Sequence, residues 1–349
     1  MVASVTGASE QVLDNLNERP VVVAPMAGGP STVALVVAAA QAGALGFVPG
    51  GYKSAQVMRH DIHAVAEATA APFGVNVFVP GSPAADGAAL ARYVDELAAE
   101  GRRFGTEIGT PAWSDDDWNA KIADLAARPV PVVSFAFGCP DADVIARLQR
   151  AGSMVWVTVC DEDEAAVASA AGADCLVVQG TEAGAHRGSF GNDPRADGTG
   201  LGVFDLIPAV RAVTDLPLVA AGGMMSADSV NAALAAGALA VQCGTAFLRC
   251  PESGAHPAYK AALADPSFDR TAVTRAFSGR PARGLLNDFM RAHQDAPAAY
   301  PEINSATRPL RAAAAQAGDV HRMSLWAGEG FRQATDQPAA AVIGMLCGG

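Results

Sequence analysis

"SMVWVTVCDEDEAAVASAAGADCLVVQG", residues 153–180, is the stretch that decides the fold. Its opening run, Ser153 to Val159, and its closing run, Asp174 to Gly180, are continuous, β-branched and apolar, as strands buried on both faces must be. Between them Asp161 starts an Ala-rich segment of helical period that ends near Gly172, and its acidic residues fall in the first turn, where the helix dipole favours them. Strand, helix and strand in this order form one unit of a parallel sheet.

The unit repeats in both directions. Comparable apolar runs are "VVVAPM" (21–26), "ALGFVP" (44–49), "FGVNVFVP" (73–80), "VPVVSFAF" (130–137), "LPLVAAGG" (216–223) and "ALAVQCGT" (238–245). Helical stretches such as Ser31 to Ala42, Asp141 to Ala151 and Ser226 to Ala236 separate most of them. A closed barrel and a doubly wound sheet both cover such strands on two faces, and a count near eight selects the barrel. The expected fold is therefore a TIM-type (β/α)8 barrel built from 1–80, 129–250 and 325–349. Two excursions break the spacing, and 81–128 with 251–324 are assigned to a smaller, α-rich domain over the C-terminal face of the barrel. The tail "LWAGEGFRQATDQPAAAVIGMLCGG" (325–349) is read as a closing barrel helix.

Composition narrows the function classes. Half of the 349 residues are hydrophobic and 17 % are charged, which suits a large buried core and excludes a disordered chain. A net charge of −12 with scattered Lys and Arg argues against nucleic-acid and anionic-membrane surfaces. The uncharged run from Pro20 to Tyr52 is long enough for a membrane span, but Pro25, Pro30 and paired glycines divide it into strand, turn, helix and strand. Six cysteines without a C-x-x-C pair read as buried thiols. The opening segment 1–20 lacks the basic flank and apolar core of a signal peptide, so a cytoplasmic protein is expected. The clusters "DDD" (115–117) and "DEDE" (161–164) read as first turns of helices, and His60 with His63 lacks a cysteine partner, so no metal site is expected.

The chemistry should sit at the C-terminal ends of the strands. Gly222 and Gly223 follow the seventh run and precede a helix, while Gly244 and Thr245 follow the eighth. Glycines there let backbone amides approach a phosphate, although each alone is equally consistent with a tight βα turn. No G-x-G-x-x-G follows the first strand and no G-x-x-x-x-G-K-[ST] occurs, so neither a Rossmann site nor a P-loop is expected. Flavin mononucleotide suits the cup, with the amides of Asn76 and Gln179 at strand ends facing its ring. His186 lies on a Gly-flanked loop beyond the sixth strand and faces the same opening.

The segments "APMAGGPST" (24–32), "GFVPGGYKS" (46–54), "GVNVFVP" (74–80), "VQGTEAGAHRGSF" (178–190), "AAGGMMS" (220–226) and "QCGTAFLRC" (242–250) together resemble the bacterial nitronate monooxygenases, formerly called 2-nitropropane dioxygenases. "FSGRPARGLLN" (277–287) and "WAGEG" (326–330) extend the likeness over most of the chain. The resemblance implies an FMN-dependent oxidation of alkyl nitronates, such as propionate 3-nitronate, by O2 to a carbonyl compound and nitrite. It places FMN against Met26, Asn76, Gln179, Gly184, Gly222 and the segment Gln242, Cys243, Gly244 and Thr245. It makes His186 the active-site histidine and puts Tyr52 and Lys53 at the substrate end. Two residues depart from the family pattern: Ala185 stands at a usual Gly, and Glu329 at an expected Gln.

An anionic substrate in an acidic protein needs a local cation, for which Lys53, Arg187 and Arg280 are the candidates. His186 could serve as an imidazolium that stabilises the anion or as a neutral base. An FMN-dependent NAD(P)H reductase of enoyl thioesters or quinones shares the "EAG-x-H" type of loop and stays open as an alternative. So does a barrel that binds a phosphorylated ligand without redox chemistry. The partners expected are the small-molecule substrate and O2, and the sequence leaves monomer and homodimer both open.

Overall fold

The computed structural model describes residues 5–195 and 198–349. In chain order the elements begin with α1 (Val5–Glu18), β1 (Val21–Val23), α2 (Val33–Gln41), β2 (Leu45–Pro49), α3 (Ala55–Ala68), β3 (Gly74–Phe78) and α4 (Gly87–Arg103). They continue with α5 (Trp118–Ala127), β4 (Val132–Ala136), α6 (Ala142–Ala151), β5 (Met154–Val159), α7 (Glu162–Ala171), β6 (Cys175–Gln179) and a two-residue β7 (Ala185–His186). Next come α8 (Val203–Arg211), β8 (Leu218–Ala221), α9 (Ala227–Ala235), β9 (Ala240–Cys243), α10 (Pro257–Ala262), β10 (Thr271–Thr274) and β11 (Ala282–Leu285). The chain closes with α11 (Asp288–Ala292), α12 (Glu302–Ala317) and α13 (Ala339–Leu346).

Eight of these strands, β1 to β6 with β8 and β9, form a closed parallel barrel, and they are the eight apolar runs of the sequence. Closure is made by β1 on β9, with Val21 opposite Val241 and Val23 opposite Cys243. The period-two alternation of the strands sorts side chains into two layers. Val22, Phe47, Val132, Trp156, Val177 and Val219 fill the barrel interior, whereas Val21, Val23, Val157 and Val178 point outward to the helices. Phe47 and Trp156 meet at 5.7 Å between ring centroids, and Gly74 is required beside them because a Cβ there would fall inside the Phe47 ring. Helix α1 closes the N-terminal end by burying Val12 and Leu16 against this interior layer.

The helix caps follow the sequence. Asp161 accepts from the Glu164 amide and Ser226 forms a capping box with Ser229, while α6 and α7 end at left-handed Gly152 and Gly172. The stretch 81–128 divides between two environments. Helix α4 buries Tyr93 and Leu97 with Phe277, Phe289, Ile303 and Leu310, whereas α5 buries Ile122 and Leu125 with Val75, Val133 and Ile145 in the barrel wall. The tail divides as well: Leu325, Ala327 and Phe331 pack with Leu285 and Phe268, and only α13 returns to the barrel, beside α2 and α9.

Over the C-terminal mouth lies a three-stranded antiparallel sheet in the order β10, β11, β7, which the sequence reading did not anticipate. It pairs Ala282 with His186 and Arg283 with Ala185, and thereby ties the loop after β6 to the second excursion. All six cysteines carry free thiols. Among the described residues, no helix is long and apolar enough to cross a membrane.

Candidate active site

A cavity of about 630 Å³ opens at the C-terminal ends of the barrel strands, a size typical of sites for cofactor-sized ligands. Met26 after β1, Asn76 on β3, Gln179 on β6, and Gln242 and Cys243 on β9 all line it, as do Gly184, Gly222, Gly223, Gly244 and Thr245. Tyr52 and His186 line it too, so twelve of the thirteen residues expected at the cofactor, the substrate end or as the active-site histidine converge on one space. Lys53 does not. Its ammonium is paired with Asp61 of α3 at 2.7 Å, outside the cavity lining.

The glycine pair turns the chain sharply at the cavity wall. Gly222 and Gly223 take φ of +114° and +71°, and a Cβ on Gly222 would lie 3.1 Å from the Ala183 nitrogen. Left-handed backbone of this kind is open to glycine at little cost and leaves the turn ahead of α9 clear. On the other flank Thr245 Oγ1 accepts from the Gly328 amide at 3.0 Å, which draws the "WAGEG" segment against the end of β9. Asn76 is buried, and its Nδ2 donates to Ser134 Oγ at 2.9 Å, which fixes the amide and leaves its carbonyl oxygen free of that bond. Gln179 is engaged in holding the loop: Nε2 donates to the His186 carbonyl at 3.1 Å, and Oε1 accepts from the Gly188 amide at 2.7 Å.

The polar residues concentrated in the Gly-rich turn now have distinct tasks. Glu182 accepts from the Val203 amide at the start of α8. Arg187 donates to the carbonyls of Gln179 at 2.7 Å and Cys160 at 3.1 Å, and so braces the loop. Ala185 sits at φ +64°, a left-handed conformation that explains why glycine is usual there. Gly184 is needed for close approach, since a Cβ would stand 2.5 Å from both the Ala327 carbon and the Gly328 nitrogen. Glu329 is paired with Arg283 at 3.2 Å.

His186 is enclosed by aromatic rings, with centroids of Phe137, Tyr300 and Trp326 at 5.7, 5.6 and 5.5 Å. Burial, followed by the nearby charges of Arg280 and Arg311, lowers its pKa to about 3. The imidazole is therefore neutral, and of the two roles left open by the sequence the imidazolium is disfavoured. Nε2 lies 2.8 Å from Ser278 Oγ, which in turn donates to the Arg280 carbonyl at 3.2 Å. With the hydroxyl proton so engaged, Ser278 accepts from Nε2–H, which leaves the lone pair on Nδ1.

Tyr52 is held from outside the cavity. Its backbone takes φ +64°, and its amide donates to Asp116 Oδ1 at 3.0 Å. Asp116 Oδ2 lies 2.7 Å from the ammonium of fully buried Lys121, an ion pair by distance whose angles fall outside hydrogen-bond geometry. Asp117 secures the same loop by accepting from the Ala55 amide at 3.0 Å. The "DDD" cluster thus clasps the Tyr52 turn, and Asp117 stands at the N-cap of α5 without a capping side-chain bond. The Tyr300 hydroxyl donates to that of Tyr52 at 3.0 Å, and burial pushes both phenols up from their ordinary pKa.

The model of the family described as nitronate monooxygenase matches residues 10–349. The chain belongs to the nitronate monooxygenase family. As a nitronate monooxygenase family member, an oxidoreductase, it is 39 % identical over 340 residues to the nitronate monooxygenase of Pseudomonas aeruginosa, covering 94 % of this chain and 95 % of that one. It is 38 % identical over 339 residues to the nitronate monooxygenase of Paraburkholderia phytofirmans, with 94 % and 91 % covered. Among solved structures, nitroalkane oxidase from Streptomyces ansochromogenes superposes with a TM-score of 0.93 at 48 % identity, covering 95 % and 96 % of the two chains. FabK from Thermotoga maritima superposes with a TM-score of 0.70 at 26 % identity, covering 96 % and 94 %.

Several residues of this family member that line the cavity or touch His186 carry no clear signal in the sequence. Trp326 and Ser278 sit inside the quoted "WAGEG" and "FSGRPARGLLN" segments, yet neither residue type in isolation signals a site. Asn304, Arg308 and Arg311 come from the second excursion, where α12 presents one face to the cavity, and Tyr300, just before α12, packs on His186. Their only signal is helical spacing, with Asn304, Arg308 and Arg311 separated by four and three residues.

Proposed function

We propose that this protein is an FMN-dependent enzyme that oxidises alkyl nitronates, propionate 3-nitronate among them, with O2 as oxidant and a carbonyl compound and nitrite as products. The observation that carries the reading is the neutral, Ser278-oriented His186 in the same cavity as the left-handed Gly222–Gly223 turn. The residues present fit FMN: Gly222, Gly223, Gly244 and Thr245 would hold its phosphate, and Met26, Asn76 and Gln242 would meet its ring. When bound, FMN supplies a two-electron acceptor that can be reoxidised by O2.

The chain's own residues do the remainder. His186 offers Nδ1 as a hydrogen-bond acceptor or as a base toward the carbon acid of a neutral nitroalkane. Phe137, Tyr300 and Trp326 keep water from the imidazole. Tyr52, receiving the Tyr300 proton, keeps its own proton for a substrate oxygen.

The test is a visible spectrum of the purified protein, followed by anaerobic addition of propionate 3-nitronate and, separately, of NADH. A yellow protein bleached by the nitronate and untouched by NADH supports the reading. Bleaching by NADH alone moves the assignment to an NAD(P)H-dependent reductase, and a protein that neither carries nor takes up flavin overturns both.

A further inference from the structure

A small anion entering this cavity must leave water within a chain of net charge −12, and the neutral His186 offers it no positive charge. The three cations suggested by the sequence are committed elsewhere. Lys53 is paired with Asp61, and Arg187 braces two carbonyls. Arg280 lies over the Phe137 ring at 4.3 Å and donates to the carbonyls of Arg187, Ser189 and Gly191. None of the three lines the cavity.

Arg311 of α12 does line it, and its partners are all neutral. Nε donates to Thr307 Oγ1 at 3.1 Å, and Nη2 donates to the carbonyl and side-chain oxygens of Asn304 at 3.0 and 2.8 Å. Among the described residues Nη1 has no hydrogen bond and the guanidinium no carboxylate partner. Enclosure lowers its pKa to about 10, so the group stays charged at neutral pH, and its field reaches His186 and Tyr52. A cation desolvated in this way, without a protein counter-charge, is stabilised by an incoming anion, and the unengaged Nη1 is the donor left to meet its oxygens.

We infer that Arg311 anchors the anionic head of the substrate, a planar group with two oxygens, and that Arg308, exposed one turn earlier on α12, draws the anion to the mouth. The identity of that anion as a nitronate rests on the function proposed above; the existence of the anion site does not. Tyr52 and Arg311 share the cavity lining with the Gly222–Gly223 turn, and Tyr300 is tied to that lining through its hydroxyl bond to Tyr52.

The experiment titrates inorganic nitrate, an unreactive planar anion, into the flavin-loaded protein by calorimetry, alongside steady-state kinetics with propionate 3-nitronate. Wild type should bind nitrate, and nitrate should compete with the nitronate. Arg311→Met should weaken nitrate binding and raise KM by roughly ten- to a hundredfold, the loss expected for one charge-assisted contact, with a smaller change in kcat. Arg311→Lys should recover part of the binding, and Arg308→Met should lower kcat/KM and flatten its dependence on ionic strength. If Arg311→Met does not fold, Arg311→Gln serves in its place, since its amide can still donate to Asn304. Nitrate binding that is absent from wild type, or unchanged in a folded neutral variant, overturns the inference. Nitrate binding lost with Arg311 in a protein inert toward nitronates would leave the anion site standing and remove the proposed function instead.

Discussion

His186 Nε2 and Ser278 Oγ stand 2.8 Å apart, across the pairing of β7 with β11, and this contact sets which imidazole nitrogen keeps its lone pair. Removing the imidazole by His186→Asn should lower turnover by roughly a hundredfold or more, the usual contribution of a positioned acid or base. Flavin content should be unchanged, since the asparagine leaves the glycine turns intact. Stopped-flow reduction with a nitronate and the visible spectrum of the variant separate the two effects.

Ser278→Ala removes the acceptor without touching the ring. Turnover should fall by about tenfold as the tautomer ceases to be fixed, with KM less affected. Ser278→Thr, which keeps the hydroxyl, should restore most of it; equal losses in both variants would point to packing and not to the hydrogen bond.

The depressed pKa of His186 also predicts a pH dependence of stability. Above its ordinary value of 6.5, folded and unfolded chains both hold it neutral and the contribution is complete. As pH falls from 6.5 toward 3, the unfolded chain binds a proton that the folded chain refuses, and stability declines. Urea unfolding at pH 7 and pH 4 should show a smaller decline for His186→Asn than for wild type, by an amount on the order of a few kcal/mol.

Lys121 is fully buried opposite Asp116, so Lys121→Met strands a carboxylate and should cost about 3 kcal/mol of stability. Asp116→Asn tolerates the left-handed backbone at φ +57° and can still accept from the Tyr52 amide. It leaves the fully buried Lys121 ammonium without its counter-charge, so it should lose about as much stability as Lys121→Met, about 3 kcal/mol, while kcat/KM stays within about threefold of wild type because Tyr52 keeps its anchor. Chemical denaturation and kinetics of the two single variants and the double variant test the coupling.

Ala185 and Gly184 should respond in opposite directions. Ala185→Gly relieves left-handed strain but frees the unfolded chain, for a net gain of up to about 1 kcal/mol. Gly184→Ala drives a methyl into the Ala327–Gly328 backbone and should lower both stability and flavin retention. Thermal unfolding with a flavin assay checks both.

The barrel was legible because parallel strands buried on two faces leave continuous apolar runs, and Gly and Asp caps mark where each helix stops and starts. The placement of Gly222, Gly223 and Gly244 at the mouth was legible for a related reason: they follow β8 and β9, where strand order already locates it. Lys53 was misleading since adjacency to Tyr52 says nothing about direction when Tyr52 itself turns the chain at positive φ. The β7 strand is too short to carry a period, so its pairing with β11 could not be read. Arg308 and Arg311 look like the solvated face of a polar helix until the cavity beneath them is seen.

Helix α12 is two-sided. Ile303, Leu310 and Ala314 hold it to the protein, while Asn304, Arg308 and Arg311 look into the cavity. The recognition surface can therefore be rewritten on a single helix while the barrel, its glycine turns and the His186 loop stay as they are. For an engineer this makes substrate preference a portable property: a library confined to three positions of one element samples new chemistries without retesting the scaffold.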